Sequence, residues 1–493
     1  MLSFLRARST KPADGPPLRD AAWRDGTLVL ALDPTLAGET VALDLDGAFF
    51  AEARVGADAT VRFAFPFSPS GRASAEAALR RSRDGAPLAE RPVTLAFAGA
   101  RESGEVLVPI GDHVPFGADA AAPGVAIVVP VYDAPALVAC CLDSVLAHTT
   151  GRASLIVIDD ASPDPAIAPL LARYAERERV HLLRNERNRG FTATANRGIA
   201  AAGRDDVVLL NADTEVGPNW LTGLRRAAAS AADVATATAV SDNAGAFSVP
   251  ELERENAWPS AWTFEQAARA LWHDAGTAYP ALPTGNGFCM YIRRAALDAA
   301  GALDEAAFPH GYGEENDFCQ RASARGFRHL VAGNVYVRHE RSASFGHERR
   351  RTLGEAGMAV LRERWPDYER DVGATLFSYE RRVLDWRVRR IFAAGKMPRP
   401  RVGVMTSMRA RMATTDVDAW PLVEAIDDAG SHEALWCRLQ SSAVDAIVAD
   451  ETAPDVLSQF AAALGIPFAT AARGASIDDA ANDALARARS FSR

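Results

Sequence analysis

The sequence has few lysines, few cysteines and no long run of apolar residues. Lys11 and Lys396 are its two lysines among 54 basic residues, and 63 acidic residues leave a net charge of −9. An acidic balance argues against general nucleic-acid binding, because such proteins carry a basic domain. No apolar run approaches the ~20 residues of a membrane span, and no secretory apolar region follows Met1. We therefore expect a soluble, cytoplasmic protein.

The five cysteines, at positions 140, 141, 289, 319 and 437, form no Cys-x-x-Cys pair and show no metal-ligand spacing. An odd number of scattered cysteines is typical of free thiols in a reducing compartment. This pattern predicts neither a disulfide framework nor a cysteine-based metal site.

A length of 493 residues predicts two to four domains. Residues 1–20 are polar and proline-rich and predict a flexible tail. Short alternating runs over 21–114 predict a β-sandwich-like accessory domain, interrupted by a helix at 73–83 and ending with a strand at 106–110. We place a catalytic domain at 123–350, a helical linker at 351–397 and a small α/β domain at 398–493, whose strands include 401–405, 434–436, 445–450 and 466–470.

Between residues 124 and 231, strand-like runs alternate with longer helical segments. The predicted strands are 125–131, 154–159, 179–183 and 206–210, and the predicted helices are 134–148, 164–177, 191–202 and 217–231. This alternation predicts an α/β fold with a mostly parallel sheet covered by helices on both faces. Ligands of such sheets bind beyond the carboxyl ends of the strands, so chemistry is expected in the residues that follow each strand.

Two adjacent acids, Asp159 and Asp160, end the second predicted strand. One carboxylate suits the N3–H of a uracil or thymine base, and the other suits a ribose hydroxyl. Helix capping by an acid or by Ser162 is the alternative. Gly190 at a helix start would let an anionic ligand approach the backbone. The alternative is that Asn188-x-Gly190 forms an ordinary turn.

Asp213 follows the buried strand 206–210. A carboxylate in that position suits a hard divalent cation that also binds a diphosphate, because Mg²⁺ is held by one or two carboxylates and by phosphate oxygens. Capping of the following helix is the alternative.

Together, Val128-Val-Pro-Val-Tyr132, Asp159-Asp-Ala-Ser162, Asn188-x-Gly190 with Asn196, and Leu210-Asn-Ala-Asp-Thr-Glu215 resemble the inverting glycosyltransferase family 2. The resemblance covers about 123–350 and is closest to the rhamnosyltransferase-like, O-antigen branch. It implies the nucleotide-sugar-binding GT-A fold. It implies donor-nucleotide contacts from Pro130, Tyr132, Asp159, Asp160, Asn188, Gly190, Asn196 and Asn211. Since Asn211 replaces the first acid of the family's Asp-x-Asp motif, the metal contact is assigned to Asp213.

The same resemblance assigns the remaining roles. Gly285, Asn286 and Gly287 match the acceptor-side segment, and His339 is a candidate metal or diphosphate ligand. In the family, the second residue of a Glu-Asp pair is the general base. Glu315 occupies that position, with Glu314 before it and Asp317 after it, and we favour Glu315 over Asp317.

These assignments predict an enzyme that moves a sugar from a dTDP- or UDP-linked donor to a hydroxyl of a glycan or lipid-linked glycan, using Mg²⁺ or Mn²⁺, in bacterial surface polysaccharide synthesis. A catalytically retired domain that binds carbohydrate or acts as a scaffold is the alternative. A nucleotidyltransferase is disfavoured because Tyr132-Asp-Ala-Pro135 stands where its glycine-rich loop is expected.

The flanking segments leave more than one interpretation open. The N-terminal domain suits glycan binding or a spacer role. The last domain resembles half of a GT-B-like transferase without donor residues, which favours a structural or docking role. The basic helix around 381–390 suits either peripheral contact with an anionic membrane or a solvated face. The oligomeric state is left open.

Overall fold

The computed structural model describes residues 17–97, 124–276, 279–340 and 347–405, with 347–351 as backbone alone. Beyond these it describes 408, 412–413, 416–422, 435–436, 438–439, 442–451, 453, 455–472 and 476–488. The chain divides into two compact units, residues 1–104 and 105–493. The strand expected at 106–110 lies outside the described residues.

Over its described residues, 17–97, the N-terminal unit contains seven antiparallel strands in two sheets. They are β1 (Leu18–Arg24), β2 (Thr27–Leu32), β3 (Thr40–Leu45), β4 (Ala48–Arg54), β5 (Thr60–Ala64), β6 (Ser74–Arg81) and β7 (Val93–Ala96), with a 3₁₀ turn at Pro34–Leu36. The sheet orders are β1-β2-β5 and β4-β3-β6-β7. Phe50 of the second sheet stacks on Phe65 at 5.3 Å, and Trp23 of the first sheet also contacts Phe65. This aromatic contact packs the sheets as the predicted β-sandwich.

Two expectations for this unit are wrong. The helix expected at 73–83 is strand β6, in which Ala75, Ala77 and Leu79 are buried and alternate with exposed residues. The alanines and arginines of this segment favour a helix locally. The segment is nevertheless a strand, because every second side chain is buried and its backbone pairs with β3 and β7. The expected tail 1–20 is also too long, because β1 begins at Leu18.

A mixed eight-stranded sheet organises the second unit. Its strands are β8 (Val125–Val131), β9 (Ala153–Asp159), β10 (Val180–Arg184), β11 (Asp206–Leu210), β12 (Thr214–Val216), β13 (Val234–Ser241), β14 (Cys289–Ile292) and β15 (Arg328–His339). They lie in the order β10-β9-β8-β11-β14-β13-β15-β12. The first four are parallel, as predicted, and β14 is antiparallel to both of its neighbours.

The chain reverses its direction of winding at the centre of this sheet. From β8 it moves outward through β9 to β10, and it then returns to the other side of β8 as β11. A crevice opens at such a switch point, beyond the carboxyl ends of the strands. Both faces of the sheet are buried: Ile127 and Val129 face one apolar core, whereas Ala126 and Val128 face another.

Helices cover the sheet and continue beyond it. They are α1 (Pro135–His148), α2 (Ile167–Ala175), α3 (Phe191–Ala201), α4 (Trp220–Ala228), α5 (Phe264–Asp274), α6 (Arg294–Ala300), α7 (Glu314–Ser323), α8 (His347–Arg364), α9 (Tyr368–Leu376) and α10 (Tyr379–Ala394), with a 3₁₀ turn at Gly245–Phe247. None of the helices in the described ranges is long and apolar enough to cross a membrane.

Two of the five arginines of helix α10 are buried and so belong to neither a membrane-contacting nor a solvated face. Arg381 is 2% exposed, and it donates to the Ser248 carbonyl at 2.5 Å and to Asp385 at 3.0 Å. Arg387 is also buried and donates to the Ala275 carbonyl at 3.0 Å. These guanidinium groups satisfy backbone carbonyls inside the protein, so they are not available to an anionic membrane.

The C-terminal part forms a smaller parallel sheet. Strands β16 (Arg401–Val404), β17 (Asp418–Pro421), β18 (Ala446–Asp450) and β19 (Phe468–Ala471) lie in the order β17-β16-β18-β19, with helices at Asp455–Leu464 and Asp478–Arg487. This is the expected small α/β unit. The strand expected at 434–436 is wrong, because Leu435 and Trp436 are helical and pack in the core with Phe460.

One carboxylate, Asp445, joins this small sheet to the central domain. Its Oδ2 lies 2.7 Å from His273 Nε2, and its Oδ1 lies 3.3 Å from Arg269 Nε and accepts from Asn219 at 2.8 Å. Desolvation raises the pKa of Asp445, but His273 and Arg269 outweigh it and lower that pKa to about 2. A buried charge with this many partners fixes the docking of the C-terminal part.

Candidate active site

The two acids that end β9 hold the loops at the crevice. Asp159 Oδ1 accepts the Ser162 N–H at 2.8 Å, and its Oδ2 lies 3.2 Å from Arg184 Nε. Asp160 accepts the Gly190 N–H at 3.0 Å and the Asn185 side-chain amide at 2.6 Å. The carboxylates are therefore positioned by several contacts at the place expected for a nucleotide.

Tyr132 lies at the carboxyl end of β8, directly after Pro130 and Val131. Its side chain is 37% exposed, which is unusual for a large aromatic residue in this domain. The next residue, Asp133, has a φ of +59°, and its N–H donates to Ser162 Oγ at 3.0 Å. This contact ties the loops after β8 and β9 together and leaves the tyrosine ring at the crevice.

Gly190 begins α3 at a position that excludes a side chain. Its φ is +83°, and a Cβ there would lie 2.3 Å from the Pro309 carbonyl oxygen. Asn188 Oδ1 accepts the Gly190 N–H at 3.1 Å. Asn196, six residues further along the chain, is used differently from our expectation: its amide accepts from Leu303 N at 3.0 Å and donates to Leu303 O at 2.8 Å. It therefore ties α3 to a distant loop.

Asp213 and His339 come together from the ends of β11 and β15. His339 Nε2 lies 3.4 Å from Asp213 Oδ1, while Nδ1 lies 3.0 Å from the Asn243 carbonyl oxygen. Because a carbonyl accepts only, Nδ1 carries a hydrogen and Nε2 is the ring atom that faces the carboxylate. An imidazole nitrogen and a carboxylate oxygen that face each other are both possible ligands of one divalent cation.

This donor set suits Mg²⁺ or Mn²⁺ with few protein ligands. Within the described part of the chain, no group of three or more His, Cys, Asp or Glu side chains could hold a metal. A cation that takes one or two protein ligands and completes its shell with phosphate oxygens and water matches the pair. Asn211 occupies the first position of the Asn-Ala-Asp motif, and no hydrogen bond joins its side chain to Asp213 or His339. Its backbone N–H donates to the Phe288 carbonyl at 2.9 Å.

Sequence reasoning missed the segment that follows β13. Asp242 Oδ1 accepts the His339 N–H at 3.0 Å and the Ser241 hydroxyl at 2.9 Å, and Asn243 supplies the carbonyl that orients the His339 ring. Burial raises the pKa of Asp242. The signal was present, because Asp242 follows a buried strand just as Asp159 and Asp213 do.

The residues predicted for the acceptor side, 285–287, form a tight turn before β14. A Cβ at Gly285 would lie 2.2 Å from the Met290 sulfur, and one at Gly287 would contact the Phe191 ring at 3.6 Å. Asn286 Oδ1 accepts the Phe288 N–H at 3.1 Å. The Phe288 ring stacks on His339 at 5.2 Å, so this turn lies beside the candidate metal pair.

Glu314 and Glu315 lie together at the start of α7. Glu314 is 3% exposed and its Oε2 accepts the Gly313 N–H at 3.0 Å. Burial raises the pKa of both carboxyls, and the charge of Glu315 raises that of Glu314 further. Glu315 Oε2 is buried and accepts from no N–H or hydroxyl group of the described residues, while the Gly287 N–H and the Glu314 carboxyl hydrogen-bond to the Glu315 side chain.

Asp317 is fully engaged within the protein. Its Oδ2 accepts from Arg321 Nε at 2.8 Å, and its Oδ1 accepts from Arg364 at 3.2 Å and from Trp365 Nε1 at 3.1 Å. The residue is 0% exposed. Asp317 therefore anchors α8 to α7, whereas Glu315 Oε2 accepts from no N–H or hydroxyl group of the described residues.

The fold and these strand-end side chains define an α/β domain whose polar and acidic side chains gather at the switch point of its sheet. Residues 126–299 match the model of glycosyl transferase family 2. This segment is a glycosyltransferase family 2 domain with the GT-A fold.

The chain is also similar to two curated proteins. It is 24% identical over 298 residues to the uncharacterized protein y4gI of Sinorhizobium fredii, which covers 55% of this chain and 31% of that protein. It is 26% identical over 112 residues to the putative glycosyltransferase EpsH of Bacillus subtilis, which covers 23% of this chain and 32% of that protein. The chain thus spans about a third of the length of these relatives.

The chain is also similar to two solved structures. GalNAc-T7 with UDP, GalNAc and Mn²⁺ aligns over 45% of this chain and 44% of its own, with 17% identity and a TM-score of 0.35. The mannosyltransferase PcManGT from Pyrobaculum calidifontis, in complex with GDP-Man and Mn²⁺, aligns over 56% of this chain and 77% of its own, with 17% identity and a TM-score of 0.39.

Proposed function

We propose that this protein transfers a sugar, with inversion, from a dTDP- or UDP-linked donor to a hydroxyl of a glycan or lipid-linked glycan in bacterial surface polysaccharide synthesis. The observation that carries the proposal is the buried Glu315 oxygen that accepts from no N–H or hydroxyl group of the described residues and lies beside the acceptor-side turn of a family 2 domain. A buried carboxylate oxygen with no such donor is costly unless a ligand supplies one, and an acceptor hydroxyl is a suitable donor.

In this mechanism Glu315 Oε2 accepts the proton of the acceptor hydroxyl, and the oxygen attacks the anomeric carbon as the nucleoside diphosphate leaves from the opposite face. The raised pKa of Glu315 brings its basicity closer to that of a useful general base. Asp159, Asp160 and Tyr132 bind the nucleotide in this mechanism.

Asp213 and His339 would hold Mg²⁺ or Mn²⁺, whose chemistry when bound is to offset the charge of the diphosphate. Phe288 links the two halves of the site, because its ring stacks on His339 while the preceding residue contacts Glu315. A lipid-linked acceptor would place the reaction at the inner face of the plasma membrane, through contacts other than the buried arginines of α10.

The first experiment is a thermal-shift screen of dTDP-, UDP- and GDP-sugars with Mn²⁺, followed by donor hydrolysis and transfer assays. Glu315→Gln should retain donor binding and lose at least ~10²-fold in turnover. Glu178→Gln is the control, because this exposed acid precedes β10 at the opposite edge of the sheet. The product anomer, read by NMR, tests inversion. Donor binding with no turnover in the wild-type protein would support the retired, carbohydrate-binding alternative.

A further inference from the structure

A small polar cluster lies next to Glu315 and joins three separate segments. Tyr368 Oη lies 3.0 Å from Thr284 Oγ1, and the Asn316 side-chain amide donates to Thr284 Oγ1 at 2.6 Å and also to Tyr368 Oη. Thr284 is 4% exposed and Tyr368 is 7% exposed. The cluster therefore has little access to water, and its hydrogen bonds are made within the protein.

The Asn316 amide donates to both hydroxyl groups of the cluster. Asn316 Nδ2 can only donate, so Tyr368 Oη and Thr284 Oγ1 both accept from it, and either hydroxyl can donate to the other. Thr284 also lies within donating distance of the Gly285 carbonyl, at 3.4 Å. Burial raises the pKa of Tyr368 to about 12, so its hydroxyl keeps its hydrogen at neutral pH. The chain of bonds ends on the acceptor-side turn.

Tyr368 is held firmly although it lies outside the family-matched segment 126–299. Helix α8, which precedes it, packs so tightly that a Cβ at Gly357 would lie 1.7 Å from the Tyr312 carbonyl oxygen. Leu361 is 0% exposed, and Trp365 donates to Asp317 at 3.1 Å. These contacts fix the start of α9 against α7, which carries both Glu315 and Asn316.

We propose that Tyr368 is a positioning residue, whose hydroxyl sets the turn at 284–287 relative to Glu315 and so completes the acceptor side from beyond the family domain. This inference rests on the proposed transferase function for its kinetic consequence, but its structural consequence is independent of it.

Hydrogen–deuterium exchange of the full chain tests the structural consequence. Tyr368→Phe keeps the ring and removes the hydroxyl, and Thr284→Val removes the same bond from the other side. Each should speed amide exchange at 284–288 by about five- to tenfold, as expected for one lost hydrogen bond. Tyr174→Phe is the matched control: Tyr174 is also 7% exposed and donates to Asp143 at 2.8 Å, remote from the turn. Unchanged exchange at 284–288 in both variants overturns the inference.

Transfer kinetics with octyl glucoside, octyl galactoside and octyl rhamnoside as acceptor probes test the functional consequence. Tyr368→Phe should raise the acceptor KM about tenfold and leave the donor KM within twofold. Equal changes in both constants would indicate a merely structural role and overturn the inference. If the wild-type protein neither hydrolyses any nucleotide-sugar donor nor transfers a sugar from it, the proposed function fails. The hydrogen–deuterium exchange experiment then still decides whether Tyr368 positions the turn at 284–287.

Discussion

Replacing Asp317 by Asn separates an anchoring carboxylate from a catalytic one. Asp317 is buried and accepts from Arg321, Arg364 and Trp365, so the change removes the charge from two ion pairs and leaves an amide among three donors. A hydrogen bond to a charged group contributes about 1.5–3 kcal/mol. The arginine side chains are 21% and 39% exposed, and solvent screening weakens their share.

We therefore expect Asp317→Asn to lower the free energy of unfolding by about 2–3 kcal/mol. With the entropy of unfolding expected for a unit of this size, the loss corresponds to a fall in Tm of roughly 2–4 °C. The assay combines a thermal melt with donor turnover measured well below Tm, where the variant is folded. Turnover should stay within a few-fold of wild type.

Glu315→Gln should show the opposite pattern, with Tm nearly unchanged and turnover strongly reduced. The reasoning fails if Asp317→Asn keeps its Tm and loses turnover by ~10²-fold or more, the size expected for a missing general base. That outcome would assign the proton transfer to Asp317 and give Glu315 the supporting role.

Three further predictions concern other charged groups. Burial raises the pKa of Glu314. The folded protein is therefore more stable at low pH, where Glu314 is protonated, and loses this stability as pH rises. Glu314→Gln removes the titrating group, so in parallel thermal melts it should stabilise the protein more at pH 8 than at pH 5. His339→Ala should weaken Mn²⁺ binding by about 10–100-fold in a paramagnetic resonance titration, and unchanged affinity would remove His339 from the metal site. Asp445→Ala leaves His273 without its buried partner and should cost about 3–5 kcal/mol; limited proteolysis should then release the C-terminal part first, and resistance equal to wild type would contradict its anchoring role.

Much of the central fold was predictable because local pattern and tertiary environment agree there. Strand β8 and strand β11 have the predicted bounds, since a run of apolar residues buried on both faces has few alternatives to a central strand. The pattern failed at β6, where an alanine-rich segment with helical preference is paired between two strands. It failed again at Leu435 and Trp436, where three apolar residues cannot distinguish a strand from a buried helix.

For the site, the sequence by itself determined the family, the strand-end acids and the acidic start of α7, because these features depend on residues close together in the chain. Tertiary structure alone decided which acids remain available. Asp317 is occupied by Arg364 and Trp365, which lie 47 and 48 residues away, and Asn196 is occupied by Leu303 at a separation of 107 residues. The same is true of the buried arginines of α10 and of Tyr368. A polar side chain shows its type in the sequence, but its partners are set by the packing of distant segments.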